Sequence, residues 1–299
     1  TVSPDDGVDA DVELAPAVAS LLGLPHRTVS STPDSWVRSV GRVRQRVEFQ
    51  TAMHTWAMPL AQGLGRRSRL LIDGLGGDML FRGLRHENDL DGVPRGIGRH
   101  REVWERLGGR RLAIDGFVDP TVAGLLREGS WSSYADEIAP YLDHRNGLMI
   151  GAMLNRTARA IAMLPLRVLG PPHAVVAPFM AADVVALGLR LSRESKLDGH
   201  YYRQMLDAVG GPRLAALPST NDGVTYPQRY HRHEASAAAV AKLRADIASV
   251  PDVDAALGPG LRRVLDAPDA ADLLDRYSNP RRLLQGFATF ASWWGTYLS

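Results

Sequence analysis

The amino-acid sequence predicts an α/β protein, a parallel sheet flanked by helices with a largely helical C-terminal half. Three observations carry that expectation. Over the first ~80 residues, short β-prone stretches alternate with helical patterns, the layout of βαβ units. One of those stretches, Leu70-Leu71-Ile72, is wholly apolar, as in a strand of a parallel sheet buried on both faces. Beyond about residue 100 the strand signals fade and helical periodicity takes over.

The elements follow in order. Thr1-Val2-Ser3 reads as the end of a strand. Val12, Ala15, Ala19 and Leu22 then recur at helical spacing, and Gly23 stops the pattern. Pro16 is tolerated only near the first turn, so that helix should start no earlier than about Asp11. His26 to Val29 reads as a second strand, and Ser30 to Asp34 as a loop able to cap a helix starting at Ser35. Met53 to Leu64 predicts a helix kinked or interrupted at Pro59, followed by the apolar strand at Leu70. From Gly83 to His100 the chain turns polar and Gly-rich, which predicts a mobile loop. Helical patterns then cover Trp104 to Leu126 (broken at its glycines and Pro120), Tyr134 to Tyr141 and Gly147 to Leu164. They continue over Ala181 to Leu191, Tyr201 to Val209, His233 to Ser249 and Leu283 to Leu298.

Composition narrows the function classes. The chain has 299 residues, enough to bury a sizeable core. Hydrophobic residues at 45% and charged residues at 23% describe an ordinary globular protein. Thirty-five basic against 33 acidic residues leave a formal +2, spread along the chain, which argues against a nucleic-acid partner. With no cysteine there is no disulfide, no Cys-ligated zinc, no iron–sulfur cluster and no thiol nucleophile. No run of ~20 apolar residues predicts a membrane span, and the N-terminus lacks a signal-peptide layout. The expected compartment is the cytoplasm. The first residue is not Met, which suggests that the chain begins partway through a longer protein.

One stretch carries chemistry: the apolar strand at Leu70 runs into Asp73-Gly74-Leu75-Gly76-Gly77-Asp78, and a helix starts at about Gly77. In an open parallel sheet, ligands bind beyond the carboxyl ends of the strands. Glycines there let backbone N–H groups approach an anion, and the helix N-terminus adds partial positive charge. Asp78 is placed either to cap that helix or to hold Mg²⁺ against a phosphate. A plain Gly-rich turn with an Asp cap has the same pattern, so the run alone leaves both readings open.

The run Asp73 to Gly83 resembles the Ser-Gly-x-Gly-Gly-Asp-Glu-x-Phe-x-Gly signature of the asparagine synthase family. Upstream, Val12 to Val29, with Gly23-Leu24-Pro25-His26, looks like the family's helix and strand after its first nucleotide loop. Downstream, Asn155-Arg156 followed by Ala177-Pro178-Phe179-Met180 is similar to the stretch that family members carry as Arg-x-Pro-Phe-Leu-Asp. Leu217 to Gly223 looks like a segment of related proteins from biosynthetic clusters. The resemblance covers residues 1–225, and residues 226–299 read as a helical extension packed on that domain.

The resemblance implies an ATP pyrophosphatase-type, adenine-nucleotide α-hydrolase-like fold and an ATP-dependent, amide-forming ligase. ATP and Mg²⁺ would activate a carboxylate as an acyl-adenylate, which ammonia or an amine then attacks. Asp78 would contact Mg²⁺ and pyrophosphate, while Gly74, Gly76 and Gly77 would contact the nucleotide through backbone. Asp73 would receive a ribose hydroxyl or simply solvate the strand end. Val2 would touch adenine or pack in the core, and Asn155 and Arg156 would face the adenylate or solvent.

The chain also departs from the pattern. The family's Ser-Gly-Gly-x-Asp-Ser pyrophosphate loop is absent from it and would sit before Thr1, on an upstream segment or a partner. The glutaminase half, whose nucleophile is an N-terminal Cys, is likewise not in these residues. Asp73 stands for the signature's Ser, Met79 for its Glu and Ala181 for the Asp of the downstream motif. The Arg before that motif has no counterpart in Val176-Ala177, and Lys196 is the nearest substitute for the family's pyrophosphate Lys, expected near Gly199. This chain alone is therefore expected to be inactive. Two alternatives stand beside the ligase: a macrolactam or other natural-product cyclase on the same fold, and a non-catalytic relative.

Two further clusters read as ordinary structure. His231 and His233 are two apart, which on a helix points them in different directions, so a solvated helix start is expected rather than a metal site. Trp293-Trp294 reads as packing of the last helix onto the core. No Gly-x-Ser-x-Gly elbow supports a hydrolase.

Overall fold

The computed structural model describes residues 1–3, 10–51, 53–64, 69–82, 96–170, 174–196, 199–218 and 232–298. Most of the expected loop at 83–100 and most of Leu217 to Gly223 lie outside the described residues, as does His231. The chain is mostly helical, with two short parallel β-pairs.

Strand β1 (Val2–Ser3) leads into α1 (Ala10–Leu21) and then β2 (Val29–Ser30), a single βαβ unit. Val2 pairs with Val29 and Ser3 with Ser30, in parallel. Helix α1 carries Pro16 in its interior rather than in its first turn. The proline withholds one N–H from the ladder, yet the helix continues on both sides of it.

Helix α2 (Pro33–Arg46) starts two residues earlier than the spacing predicts, because Thr32 caps it. Thr32 Oγ1 accepts the Ser35 N–H at 3.2 Å and Ser35 Oγ accepts the Thr32 N–H at 2.8 Å, a reciprocal capping box. A 3₁₀ turn (Thr55–Ala57) precedes α3 (Met58–Leu64), so Pro59 falls in a first turn where its missing N–H costs nothing, and no kink results.

Strand β3 (Leu70–Ile72) is followed by α4 (Gly77–Phe81), and α5 spans Ile97–Trp104. Asp119 Oδ1 accepts the N–H groups of Thr121 and Val122, so α6 (Pro120–Ile138) begins at Pro120 instead of breaking there. Helix α7 (Gly147–Ala152) continues through a wider turn, Met153–Ile161, before β4 (Ala174–Val176). Helices α8 (Ala182–Arg190) and α9 (His200–Gly210) follow. The C-terminal set is α10 (Ala237–Ala248), α11 (Pro251–Ala255), α12 (Pro259–Asp266), α13 (Ala270–Arg276) and α14 (Ser278–Tyr297).

Strand β3 pairs with β4 in parallel, Leu71 opposite Val175. No ladder among the described residues joins this pair to β1–β2, so the single flanked sheet of the sequence reading resolves into two two-stranded pairs. The expected burial of β3 is also corrected. Leu70 is 52% and Ile72 69% exposed: alternate residues of a strand point to opposite faces, and the face these two share is open to solvent while Leu71 on the other is half-buried. An apolar strand of this length looks the same in sequence whether one face is covered or both.

The two largest of five apolar clusters among the described residues hold most of the helices. One gathers Leu243, Leu261, Leu274, Leu284 and Ala288 from the C-terminal helices with Val118 from the middle of the chain. That helical set packs on α2, where Trp36 and Val40 meet Ala239 and the buried Arg44 pairs with Asp246 at 2.6 Å. The other core places Met79, Leu80 and Phe81 of α4 against Val103 and Met149. His233 is buried instead of starting a solvated helix, and Glu234 beside it lies 3.9 Å from Arg281. No helix among the described residues is long and apolar enough to cross a membrane.

Two buried histidines make stability depend on pH. His54 hydrogen-bonds the Ala160 carbonyl at 2.7 Å, and burial holds its imidazole below the usual value of 6.5. His100 is lowered first by burial and then by the charge of Arg99. A group whose folded pKa is depressed favours the folded state when neutral, so this stabilisation is present above about pH 6.5 and lost as pH falls below it. The urea midpoint is therefore expected to fall between pH 7.5 and pH 5.5, and His54→Gln with His100→Gln should flatten that dependence. An equally steep profile in the double variant would place the effect elsewhere.

Candidate functional site

The site is built where β3 ends. The Asp73 N–H donates to the Val176 carbonyl at 2.9 Å, extending the β3–β4 register by one bond. Asp73 Oδ1 then accepts the Leu75 N–H at 2.8 Å, an Asx turn that reverses the chain. Gly76 sits at φ +86°, a left-handed conformation that favours glycine, and α4 starts at the next residue.

The glycines have a structural reason that the sequence did not show. A Cβ on Gly76 would lie 2.5 Å from Met180 Sδ, and one on Gly77 would lie 2.9 Å from the Phe179 ring. The two stretches that resemble one family therefore touch each other: the Pro178-Phe179-Met180 turn rests on the glycines. Gly74 is different, since a Cβ there would meet nothing within 4 Å. Its backbone is the part of the turn left open to a ligand.

Helix α4 is only five residues long, so the expected dipole contribution at its N-terminus is small. What remains is side-chain chemistry. Asp78 is exposed, and its Oδ1 accepts the Met79 N–H at 2.8 Å, one of the helix's otherwise unpaired donors. Met79 itself is buried in the α4 core, which gives a packing reason for an apolar side chain at that position.

A cavity of about 250 Å³ opens at this turn, lined by Asp73, Gly74, Gly76, Asp78, Arg156 and Thr157. Arg156 and Thr157 come from the wide turn after α7, so distant parts of the chain converge here. Thr157 is a member that sequence reasoning missed. It is buried, and its Oγ1 has no hydrogen-bond partner among the described residues. Thr157 lines the cavity while its hydroxyl oxygen is shielded from solvent behind the wall, and leaving such a group unmet costs about 1–3 kcal/mol.

Other sequence candidates lie elsewhere. Asn155 turns back and donates from Nδ2 to the Gly151 carbonyl at 3.1 Å, so Arg156 alone of that pair lines the cavity. Gly77 is buried beneath Phe179 and is not part of the lining. Val2 is buried in the separate β1–β2 pair and does not reach the cavity either, so the packing alternative fits its position. Lys196 is buried under α7 with Nζ 3.2 Å from Asn146 Oδ1, away from the lining.

Two carboxylates and one guanidinium around an open backbone make a coherent donor set. No group of three metal-ligating side chains exists among the described residues, so a cation here would need ligands from something else. Mg²⁺ commonly takes one or two carboxylates and completes its shell with phosphate oxygens and water. Asp73 and Asp78 fit that requirement, and Arg156 supplies the planar, always-charged partner that phosphate favours. No family model, no curated protein and no solved structure matches this chain.

Proposed function

We propose that this chain is the synthetase portion of an ATP-dependent, amide-forming ligase of the asparagine synthase type, on an adenine-nucleotide α-hydrolase-like fold. The cavity carries the reading: it gathers Asp73, Gly74 and Asp78 from the Gly-rich turn with Arg156 and Thr157 from a distant one. The contact between the Gly76-Gly77 turn and Phe179-Met180 supports it, since both stretches resemble the same family.

In this reading Asp78, with Asp73, holds Mg²⁺ at the phosphates, and Gly74 gives the nucleotide close approach to backbone. Arg156 neutralises phosphate charge and orients the leaving group, and Thr157 forms the wall beside it. Mg²⁺, when bound, supplies Lewis-acid stabilisation of charge on the phosphates. The substrates are a small-molecule carboxylate and ammonia or an amine, with an upstream segment or a glutaminase partner supplying the pyrophosphate loop.

The test is calorimetric titration of the chain with ATP, with and without Mg²⁺. Binding should require Mg²⁺ and be lost in Asp73→Asn/Asp78→Asn; binding that is indifferent to both would refute the site. Given ATP, Mg²⁺, aspartate and ammonia, the 299-residue chain should release no pyrophosphate in a coupled assay. A second reading, a nucleotide-binding relative without catalysis, is favoured by the burial of Met79 where the family signature has Glu. Nucleotide binding without turnover, even after a Ser-Gly-Gly-x-Asp-Ser segment is supplied upstream, would select it.

A further inference from the structure

We propose that a second cavity, of about 410 Å³ and lined by Glu48, Phe49, Gly286, Phe290 and Trp293 among others, binds a small organic ammonium cation. The inference is independent of the nucleotide reading and stands on three features of this one place.

The first is the backbone. Glu48 and Phe49 are consecutive non-glycine residues at φ 52° and 57°, in the left-handed region that side chains with a Cβ rarely adopt. Such strain persists only where its surroundings impose it, and it clusters at binding and catalytic sites. Here the Phe49 N–H is tied to the Arg44 carbonyl at 2.8 Å, while Arg44 Nη1 reaches Asp246 Oδ2 at 2.6 Å and Ser292 Oγ at 2.9 Å. The clamp joins α2, α10 and α14 behind the loop, and the Phe49 ring meets Tyr297 edge-on at 6.1 Å.

The second is Gly286, in the body of the 20-residue helix α14. Glycine there weakens a helix relative to alanine, so a packing reason is expected. A Cβ at Gly286 would meet nothing within 4 Å, as at the helical Gly41, Gly124, Gly129 and Gly295, and what sets Gly286 apart is that it lines the cavity. What the missing side chain does is leave the cavity open.

The third is the chemistry of the walls. Phe290 and Trp293 lie stacked, with centroids 5.5 Å apart and planes at 19°, and Phe290 is 47% exposed. Ring faces attract cations through their quadrupole, and alkylated ammonium ions lose little hydration when they bind there. Among the described residues Glu48 is the one charged side chain of the lining, so the charge complementarity is for a cation. Its existing partner, Arg167 at 3.4 Å, forms a pair in which both side chains are more than half exposed, weak enough for a better-fitting cation to replace. The volume falls in the range of small-molecule pockets.

Calorimetric titration with choline, against its neutral isostere 3,3-dimethylbutan-1-ol, tests the proposal. Choline should bind at millimolar concentrations and the alcohol should not. Gly286→Leu should abolish that binding without lowering the melting temperature, because it fills the cavity from a position with room for a side chain. Glu48→Gln should weaken binding several-fold. Equal binding of the alcohol, undiminished choline binding by Gly286→Leu, or no choline binding to the parent chain would overturn the assignment. So would a much tighter complex with a trimethyl-lysine peptide, which would place the cation on a protein tail.

Discussion

Asp78→Ala is expected to weaken Mg²⁺-dependent ATP binding at least ~10-fold, about 1.4 kcal/mol, while shifting the melting temperature by no more than a few degrees. The small structural effect follows from the position of Asp78, which is exposed and gives up one bond, from Oδ1 to the Met79 N–H. Loss of such a first-turn acceptor costs ~1 kcal/mol of stability. The large functional effect follows from removing one of the two carboxylates in the cavity. Arg156→Ala is the companion variant. It should likewise weaken Mg·ATP binding, because a guanidinium acts on phosphate directly, while leaving the Mg²⁺ requirement in place. If both variants bind Mg·ATP as the parent does, the cavity is not the nucleotide site.

Phe81→Ala is expected to cost about 3–5 kcal/mol in urea denaturation and to loosen the candidate site from below. Phe81 is fully buried in the α4 core, with its ring 5.9 Å from Phe179 and stacked on Tyr201 at 6.0 Å. Phe179 in turn presses on Gly77, and Met180 on Gly76. Truncating Phe81 leaves a cavity beneath Phe179, so the turn carrying Asp78 loses its support along with the core. Phe290→Ala, on a side chain 47% exposed, should cost much less. Comparable losses in the two variants would mean that α4 is not packed as described.

The residues of the candidate site were legible in unequal measure. Asp73, Gly74, Gly76 and Asp78 stood out because strand, glycine turn and helix start are consecutive in the chain, and turn chemistry is local. Arg156 came into view only through its likeness to a family stretch, and Thr157 not at all. A threonine in a helical pattern carries no sign of whether its hydroxyl will be buried or matched. Gly286 was equally silent, since an unexplained glycine shows only when its surroundings are known to be empty.

The same division runs through the fold. A capping loop before α2 and a helix start at Gly77 were readable from neighbours, whereas Thr32 moved the start of α2 to Pro33 and Asp119 made Pro120 a helix start instead of a break. Each shift of a boundary came from one side chain satisfying the first N–H groups of a helix. Burial was not readable for Leu70 and Ile72, because it depends on what covers the second face of β3.

By itself, then, the sequence determined what composition and local order can determine. There is no thiol chemistry in a chain without cysteine, and a Gly-rich turn with two carboxylates follows an apolar strand. Tertiary structure decided which of those residues share a cavity and that Gly76 and Gly77 make room for Met180 and Phe179. It also decided that Met79 faces the core and that β1–β2 and β3–β4 form separate pairs. The physical reason is range. Caps and turns act over a few bonds, whereas burial and cavity lining are properties of residues brought together from far along the chain.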